Sequence, residues 1–357
     1  QESVCDAFSP GYFSIPLDTL KNSTALVCAV VGPGQAHHGF RSSFPGDGEF
    51  AEPQNVQHIL ARACTQFLVR RDQLRTVLAG FPWFLDWGRD TFIAARGYLA
   101  EGFVDEVRDL VFAFANLERE GTLPNALSAE SDANRDTSDA PLWFIRVVEE
   151  LCDEMGWEKL LAEAGKSDVP LEGCVRSICD HYLHGTPNGI YCDPESGLVY
   201  SPPHFTWMDT NYPAATPREG YPIEIQALWI RALQFASRIL GRSDFAEVAG
   251  RASKSLVQLF WMDGVGHFAD CLPARTGTSA VHAGRDESLR PNQLYAVALE
   301  LIDIDRAQKS VIQTGRNLLI PSGLRTVANR PLSAWPWVDN SDPPNGFDLM
   351  NPYAGRY

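Results

Sequence analysis

From about residue 53 onward, apolar residues recur at three- and four-residue spacing, which is the pattern of amphipathic helices. In the first such stretch, Val56, Ile59, Leu60, Ala63 and Phe67 share one face. The same periodicity occupies residues 91–102, 104–118, 139–155, 171–184, 222–240, 243–260, 289–302 and 305–317. The sequence therefore predicts a mainly α-helical protein with about nine helices.

The connections between these helices alternate in length. Residues 102–104 and 240–243 are short links, whereas residues 76–90, 119–138, 185–221, 262–288 and 319–357 are long and rich in Pro, Asn, Asp, Trp and Tyr. Long loops without regular structure are often functional. We expect helical hairpins arranged in a ring, with the long loops gathered at one end.

Residues 1–50 follow a different pattern. Two short apolar, β-prone runs, at 12–17 and 24–31, lie between Pro- and Gly-rich turns. Two strands cannot stabilise themselves alone, so we interpret 1–50 as the end of a β-rich domain and linker. The chain is then expected to begin inside a domain, with the helical domain at 51–357.

Composition narrows the classes of partner. The chain is 45% hydrophobic with 19 Phe, 10 Tyr and 9 Trp, which argues against disorder. The formal net charge of −15 disfavours nucleic acid and anionic membrane surfaces. No apolar run is long enough to span a bilayer. A neutral ligand is the natural expectation.

The cysteines and histidines carry no recognisable metal or disulfide pattern. Eight cysteines are scattered without a C-x-x-C pair, and no histidine pair has the spacing of metal ligands. No phosphate-binding loop or serine-hydrolase elbow occurs. We predict reduced thiols, no metal and no cofactor. Reduced thiols, in a sequence without a visible signal peptide, indicate a cytoplasmic location.

The densest chemical segment is GFPWFLDWGRDT at residues 80–91. It combines aromatic rings with charged groups: Trp83, Phe84 and Trp87 with Asp86, Arg89 and Asp90. A neutral sugar needs both, because its C–H face stacks on a ring and its hydroxyls take directed hydrogen bonds. The alternative is that Asp90 only caps helix 91–102 and pairs with Arg89.

A second segment lies in the long loop before helix 222–240. Asp209 follows Trp207 and Met208, and apolar surroundings of that kind suit a general acid. An Asx turn at Asp209 is an equally good explanation from these residues alone. Glu224 lies near the first turn of the next helix, where the helix dipole favours a carboxylate without any function.

Two further loop ends place polar residues before apolar helices. Asp139 precedes the stretch APLWF, where it is either an ordinary cap or part of a site. The run LRPNQL at 289–294 repeats this arrangement.

Taken together, these segments resemble the glycogen debranching enzyme family, specifically its amylo-α-1,6-glucosidase domain. The resemblance is carried, in the family's order and over roughly residues 76–327, by PWFLDWGRDTFIA, GTLPNALSAES with DTSDAPLWF, TWMDT with TPREGYPIEIQALW, LRPNQLYAVAL and SGLRTV. It implies an (α/α)6 toroid preceded by the tail of a β-sandwich, and an inverting glycoside hydrolase that cleaves α-1,6-linked glucose at branch stubs of glycogen.

The resemblance also assigns roles residue by residue. Asp209 of TWMDT is similar to the family's catalytic general acid. Trp87, Arg89 and Asp90 look like the walls and hydroxyl ligands of the glucose site. Asp139, Trp207, Arg218 and Glu224 match family positions that line the same pocket. Together with Trp83 and Asp86 of the aromatic segment, the predicted substrate-binding residues are Trp83, Asp86, Trp87, Arg89, Asp90, Asp139, Trp207, Arg218 and Glu224. The implied partner is an α-glucan.

The family pattern continues beyond the equivalent of residues 351–357, and its general base is expected in that continuation. Nine helices against the twelve of a full toroid agree with an incomplete barrel that holds the acid without the base. Two alternatives stay open. One is a non-catalytic α-glucan-binding fragment or pseudo-enzyme, and the other is a different (α/α)6 hydrolase such as a trehalase-like enzyme.

Overall fold

The computed structural model describes residues 56–71, 74–80, 84–126, 134–164, 170–209 and 217–328. Its α-helices are α1 Val56–Phe67, α2 Gly88–Ala100, α3 Val104–Ala115, α4 Ala140–Met155, α5 Trp157–Ala164, α6 Leu171–His184, α7 Ile223–Leu240, α8 Ser243–Phe260, α9 Leu294–Ala298 and α10 Ile304–Leu318. The strands are β1 Leu68–Arg71, β2 Leu74–Gly80, β3 Phe84–Asp86, β4 Tyr191–Cys192, β5 Val199–Tyr200, β6 Gly220–Pro222, β7 Trp261–Met262, β8 His267–Phe268, β9 Cys271–Pro273, β10 Leu319–Ile320 and β11 Gly323–Leu324. The described chain is therefore mainly helical.

The chain divides into two compact units, residues 1–63 and residues 64–357. In the first unit, the structure describes only the beginning of α1. The predicted β-rich segment 1–50 lies outside the described residues. All that follows concerns the second unit.

Helices α2, α4 and α7 form a parallel row. Their middles are joined by ion pairs, Arg96 Nε to Glu150 Oε1 at 2.9 Å and Arg231 Nε to Glu149 Oε2 at 3.0 Å. Their first turns are joined as well, as described below, so all three helices begin at one end of the unit. The short helix α9, preceded by a 3₁₀ turn at Pro291–Gln293, begins at this end too.

A second set of helices packs against this row and runs the other way. α8 follows α7 after only Gly241 and Arg242, and Gly241 takes a left-handed conformation (φ 65°) that reverses the chain. Near the end of α6, Tyr182 donates to the carbonyl of Ser138 at 3.0 Å, just before α4 begins. The pair α7 and α8 is therefore a helical hairpin, as predicted.

The core lies between the two sets of helices. Phe92 of α2 contacts Phe114 of α3 and Phe144 of α4, with ring centroids 4.8 and 5.5 Å apart. Trp229 of α7 packs on Tyr182 of α6 at 5.7 Å. Burying a large apolar side chain of this kind stabilises a fold by roughly 1.5–3 kcal/mol. The core fixes the row of helices and hence the positions of their first residues.

Several predicted elements differ from the structure. Helices α6 and α8 match their predicted bounds, whereas the predicted helix 289–302 is a 3₁₀ turn followed by the five-residue α9. The helix predicted at 91 begins at Gly88, and the loop predicted at 76–90 contains part of the antiparallel sheet β1–β2–β3. Helix α5 lies outside the predicted helices, and Gly156 (φ 83°) separates it from α4. The described residues thus hold ten α-helices instead of nine.

Two further expectations can be compared with the described residues. Their six cysteines, Cys64, Cys152, Cys174, Cys179, Cys192 and Cys271, are free thiols, as predicted. Within the same residues, no helix has both the length and the apolar character needed to cross a membrane.

Candidate functional site

The first turn of α2 presents Arg89 to a cluster of acidic residues. Its neighbour Gly88 donates to the carbonyl of Asn125 at 2.8 Å. A Cβ on Gly88 would lie 2.3 Å from the carbonyl oxygen of Pro124, so only glycine allows this approach. The contact holds the start of α2 against the loop at 121–126.

The Arg89 guanidinium bridges two carboxylates from distant parts of the chain. Its Nε donates to Asp139 Oδ2 at 2.5 Å and its Nη1 to Asp209 Oδ2 at 2.9 Å. Burial alone would lower the pKa of Arg89, but the charges of Asp139 and Asp209 outweigh it and the pKa is raised. Arg89 is therefore a fixed cation between the starts of α2 and α4 and the segment Thr206–Asp209.

The two carboxylates differ in exposure. The side chain of Asp139 is 3% exposed, whereas that of Asp209 is 36% exposed. Asp139 occupies the position before α4 without capping the helix by its side chain. Instead it accepts from Thr137 Oγ1 at 2.6 Å, and that hydroxyl oxygen accepts from the backbone N–H of Ala140. Of the two, Asp209 is the one that a ligand can reach.

A cavity of about 610 Å³ opens beside this pair. It is lined by both polar and apolar residues: Arg89, Asp90, Ile93, Trp207, Pro291, Asn292, Leu294, Tyr295 and Ala298. Burial raises the pKa of Asp90, and the charge of Arg89 opposes the rise. A ring, a carboxyl, an amide and a guanidinium in one cavity are the groups that a polyhydroxylated neutral ligand requires.

A second buried arginine lies beneath the cavity. Arg218 is 0% exposed and binds both oxygens of Glu224 in the first turn of α7, with Nη2 to Oε2 at 2.7 Å. Its Nε donates to Asp270 Oδ2 at 2.9 Å, and its Nη1 donates to Thr206 Oγ1 at 3.3 Å. Burial raises the pKa of Glu224, and Arg218 opposes the rise. Arg218 thus ties α7 to the segment that carries Asp209.

Asp270 and Asn292 extend this buried network to the cavity wall. Asn292 Nδ2 donates to Asp270 Oδ1 at 2.8 Å, and Trp207 Nε1 donates to Asn292 Oδ1 at 3.0 Å. Neither residue was among the predicted site residues. Asp270 lies in the apolar run HFADCLPA, and a lone carboxylate there, opposite buried Arg218 and Arg290, is the signal that could have identified it.

The structure brings most of the predicted residues together, but at different depths. Arg89, Asp90 and Trp207 line the cavity, and Asp209 and Asp139 bind Arg89. Arg218 and Glu224 lie beneath it, 0% and 2% exposed. Asp86 is buried in β3, and Trp87 is half-buried immediately before α2. Trp83 lies outside the described residues.

The acidic residues have an electrostatic reason to gather at this end. The first turns of α2, α4 and α7 meet there, and each carries unpaired backbone N–H groups and the positive end of a helix dipole. Asp90, Asp139 and Glu224 lie at these three helix starts. In the described residues, no group of His, Cys, Asp or Glu has an arrangement that could hold a metal ion.

Comparison with known proteins gives three findings. The family described as amylo-alpha-1,6-glucosidase matches residues 62–343. A glycogen debranching enzyme of Saccharomyces cerevisiae is 24% identical over 376 residues, a match that covers 81% of this chain and 24% of that enzyme. The chain thus spans about a quarter of the length of this relative. A rhamnosidase from Klebsiella oxytoca, solved with rhamnose bound, shares 17% identity over 65% of this chain and 41% of its own, with a TM-score of 0.45.

Proposed function

The chain belongs to the amylo-alpha-1,6-glucosidase family, and from this membership we propose that it is a glycoside hydrolase that removes α-1,6-linked glucose from the branch stubs of glycogen-like α-glucans. We propose an inverting mechanism on the (α/α)6 toroid. The neutral substrate is compatible with the net charge of −15, which would repel a polyanion. A role in glycogen breakdown and a cytoplasmic location follow from the same proposal.

The observation that carries the proposal is the position of Asp209. This carboxylate is exposed, it is held by Arg89, and its neighbour Trp207 lines the cavity. An inverting hydrolase needs one acid that protonates the leaving oxygen. We assign that role to Asp209, with Trp207 stacking on the terminal glucose.

The remaining polar groups bind the glucose. Arg89 and Asp90 line the cavity and would bind the hydroxyl groups of the glucose. As the ligand enters, hydrogen bonds from Arg89 to sugar hydroxyl oxygens would replace its hydrogen bond to Asp209. Asp139, Arg218 and Glu224 support these groups from beneath, since all three are almost fully buried.

Water activation requires a second carboxylate, roughly 6.5–9.5 Å from the acid. Asp139 and Glu224 do not suit this role, because both are held away from solvent. Asp139 binds Arg89 and Thr137, and Glu224 binds Arg218. Asp90 is already assigned to bind the hydroxyl groups of the glucose. We therefore place the general base in none of these three positions.

An anomer-resolved NMR time course with glucosyl-branched cyclodextrin tests the proposal on the protein at its full natural length. We expect β-glucose to appear first, since inversion converts an α-linkage into the β-anomer. Asp209→Asn should lower kcat by about 10²–10⁴-fold while the affinity for the dextrin is kept. Asp153→Asn, an exposed acid near the end of α4, is the matched control and should keep full activity.

Each other outcome contradicts a part of the proposal. Early release of α-glucose would exclude inversion. Saturable dextrin binding without release would support a glucan-binding protein instead. Faster turnover of trehalose than of the branched dextrin would indicate a trehalase-like enzyme. Undiminished activity of the Asp209→Asn protein would remove Asp209 as the acid.

A further inference from the structure

The Trp207 indole N–H donates to the side-chain amide of Asn292, which lies beneath it. Trp207 Nε1 donates to Asn292 Oδ1 at 3.0 Å, and Asn292 Nδ2 donates to Asp270 Oδ1 at 2.8 Å. An indole N–H can only donate and a carboxylate can only accept. The two neighbours therefore fix which end of the amide faces which group.

Asp270 is itself immobilised. Arg218 contacts both of its oxygens, at 2.9 and 3.2 Å, and Arg290 Nε lies 3.4 Å from Oδ2. All three side chains are at most 1% exposed. A buried carboxylate held by two guanidinium groups has little freedom to move, so it is a rigid anchor for the Asn292 amide.

The chemistry explains why an amide is used at this position. A carboxylate at 292 would face Asp270 at hydrogen-bond distance and be repelled, and an apolar side chain would leave the indole N–H without this acceptor. Asparagine can accept from the ring and donate to the carboxylate at once. Gln293, the next residue, is buried as well but binds Phe268 N and Thr314 Oγ1, away from Trp207.

We propose that Asn292 is a positioning residue that sets the plane of the Trp207 ring in the glucan-binding cavity. This inference rests on the proposed function, because it takes Trp207 as the surface on which the sugar stacks. Asn292 acts through Trp207, and Asp270 acts through Asn292. The orientation of the ring thus depends on a carboxylate that is itself buried away from solvent.

A double-mutant cycle tests this link. The dissociation constant for glucosyl-branched cyclodextrin is measured for the wild type, Asn292→Leu, Trp207→Phe and the double variant. We expect Asn292→Leu to weaken binding by up to about tenfold, because the Trp207 ring is then no longer held in one orientation and must be ordered when the sugar binds. In the Trp207→Phe background, which has no indole N–H, the same change should weaken binding by less than about twofold.

The control is Gln293→Leu, which removes a buried amide from the same 3₁₀ turn without touching Trp207. It should lower the unfolding midpoint and leave the dissociation constant unchanged. Equal losses of affinity from Asn292→Leu in both backgrounds would overturn the proposal. So would an equal loss from Gln293→Leu, because the effect would then be general to the turn.

A measurement without ligand separates this inference from the proposed function. The indole N–H resonance of Trp207, identified by its absence in Trp207→Phe, should shift in Asn292→Leu and stay in place in Gln293→Leu. An unmoved resonance would overturn the positioning role. A shifted resonance in a protein that does not bind the dextrin would retain Asn292 as the partner of Trp207 and reject the proposed function.

Discussion

Arg89 and Arg218 make almost the same local structure with different consequences. Each is buried, each bridges two carboxylates from distant segments, and each joins the start of a helix in the parallel row to the segment Thr206–Asp209. Arg89, however, reaches an exposed carboxylate and lines the cavity, whereas both partners of Arg218 are at most 3% exposed. The first arginine can exchange a partner for a ligand, and the second can only hold the structure together.

The comparison explains why residue type alone does not distinguish an arginine that can bind a ligand from one that only stabilises the fold. In the sequence, both arginines lie in polar segments that lead into apolar helices, and the resemblance matches both to the substrate pocket. The difference lies in the depth of their carboxylates, which depends on how the loops fold over the helix starts. Three substitutions test whether the distinction holds.

The largest expected effect is on stability, at Arg218. Arg218→Met leaves Glu224 and Asp270 buried without their shared cation, which costs about 3–5 kcal/mol. Urea unfolding measures the loss. Arg238→Met is the control, since Arg238 is 60% exposed and 3.8 Å from its acidic partner, and it should change the free energy of unfolding by less than about 1 kcal/mol. Similar losses in the two proteins would remove the structural role assigned to Arg218.

A smaller effect is expected at Arg89, and mainly on binding. Arg89→Lys keeps the charge but cannot reach both Asp139 and Asp209, so the free energy of unfolding should fall by about 1–3 kcal/mol. Dextrin affinity should fall at least about tenfold, because lysine lacks the planar guanidinium group that would bind the sugar hydroxyls.

Arg96→Lys is the control for that substitution. Arg96 is on the same helix and binds Glu150 through its Nε at 2.9 and 3.0 Å, but it does not line the cavity. Titration calorimetry should show an unchanged dextrin affinity. A loss of dextrin affinity equal to that of Arg89→Lys would mean that helix α2 as a whole, and not the Arg89 guanidinium group, determines binding.

The smallest effect is expected at Asp90, and it depends on pH. Burial raises the folded-state pKa of Asp90 above its ordinary value of 3.8, so its ionisation opposes folding. That contribution is absent below pH 3.8 and grows as the pH rises through the interval up to the raised pKa. Asp90→Asn should remove this part of the pH dependence and leave stability at pH 7 equal or higher, by up to about 0.5 kcal/mol. Thermal unfolding measured between pH 3 and 7 tests this prediction. A variant less stable than the wild type at pH 7 would contradict it.

The sequence predicted long, periodic helices well and short elements poorly. Helices such as α6 and α8 have apolar residues over several turns, so their bounds follow from the periodic pattern. The five-residue α9 and the strands β1–β3 are too short for periodicity, and tertiary contacts decide their form. For the site, local chemistry singled out Arg89 and Asp209, but spacing could not bring together residues 120 positions apart. Their convergence followed from the family resemblance.

The buried network also explains what sequence reasoning missed. Asp270 lies among apolar residues in a loop with no motif, and its role depends on Arg218, Arg290 and Asn292 from other segments. A single carboxylate has no periodicity, so no local rule identifies it. The requirement that buried guanidinium groups have partners does identify it, once burial is known.

The contacts of Asp270 have a consequence for the order of folding. Asp270 joins Arg218 to Asn292, and Arg89 joins Asp139 to Asp209. Completing the site therefore closes several long loops of the chain at once. Closing long loops costs chain entropy before the contacts repay it, whereas the hairpin of α7 and α8 needs only neighbouring residues. Helices can thus form early in a chain whose cavity is still open. We therefore expect helical content to develop before the site is complete.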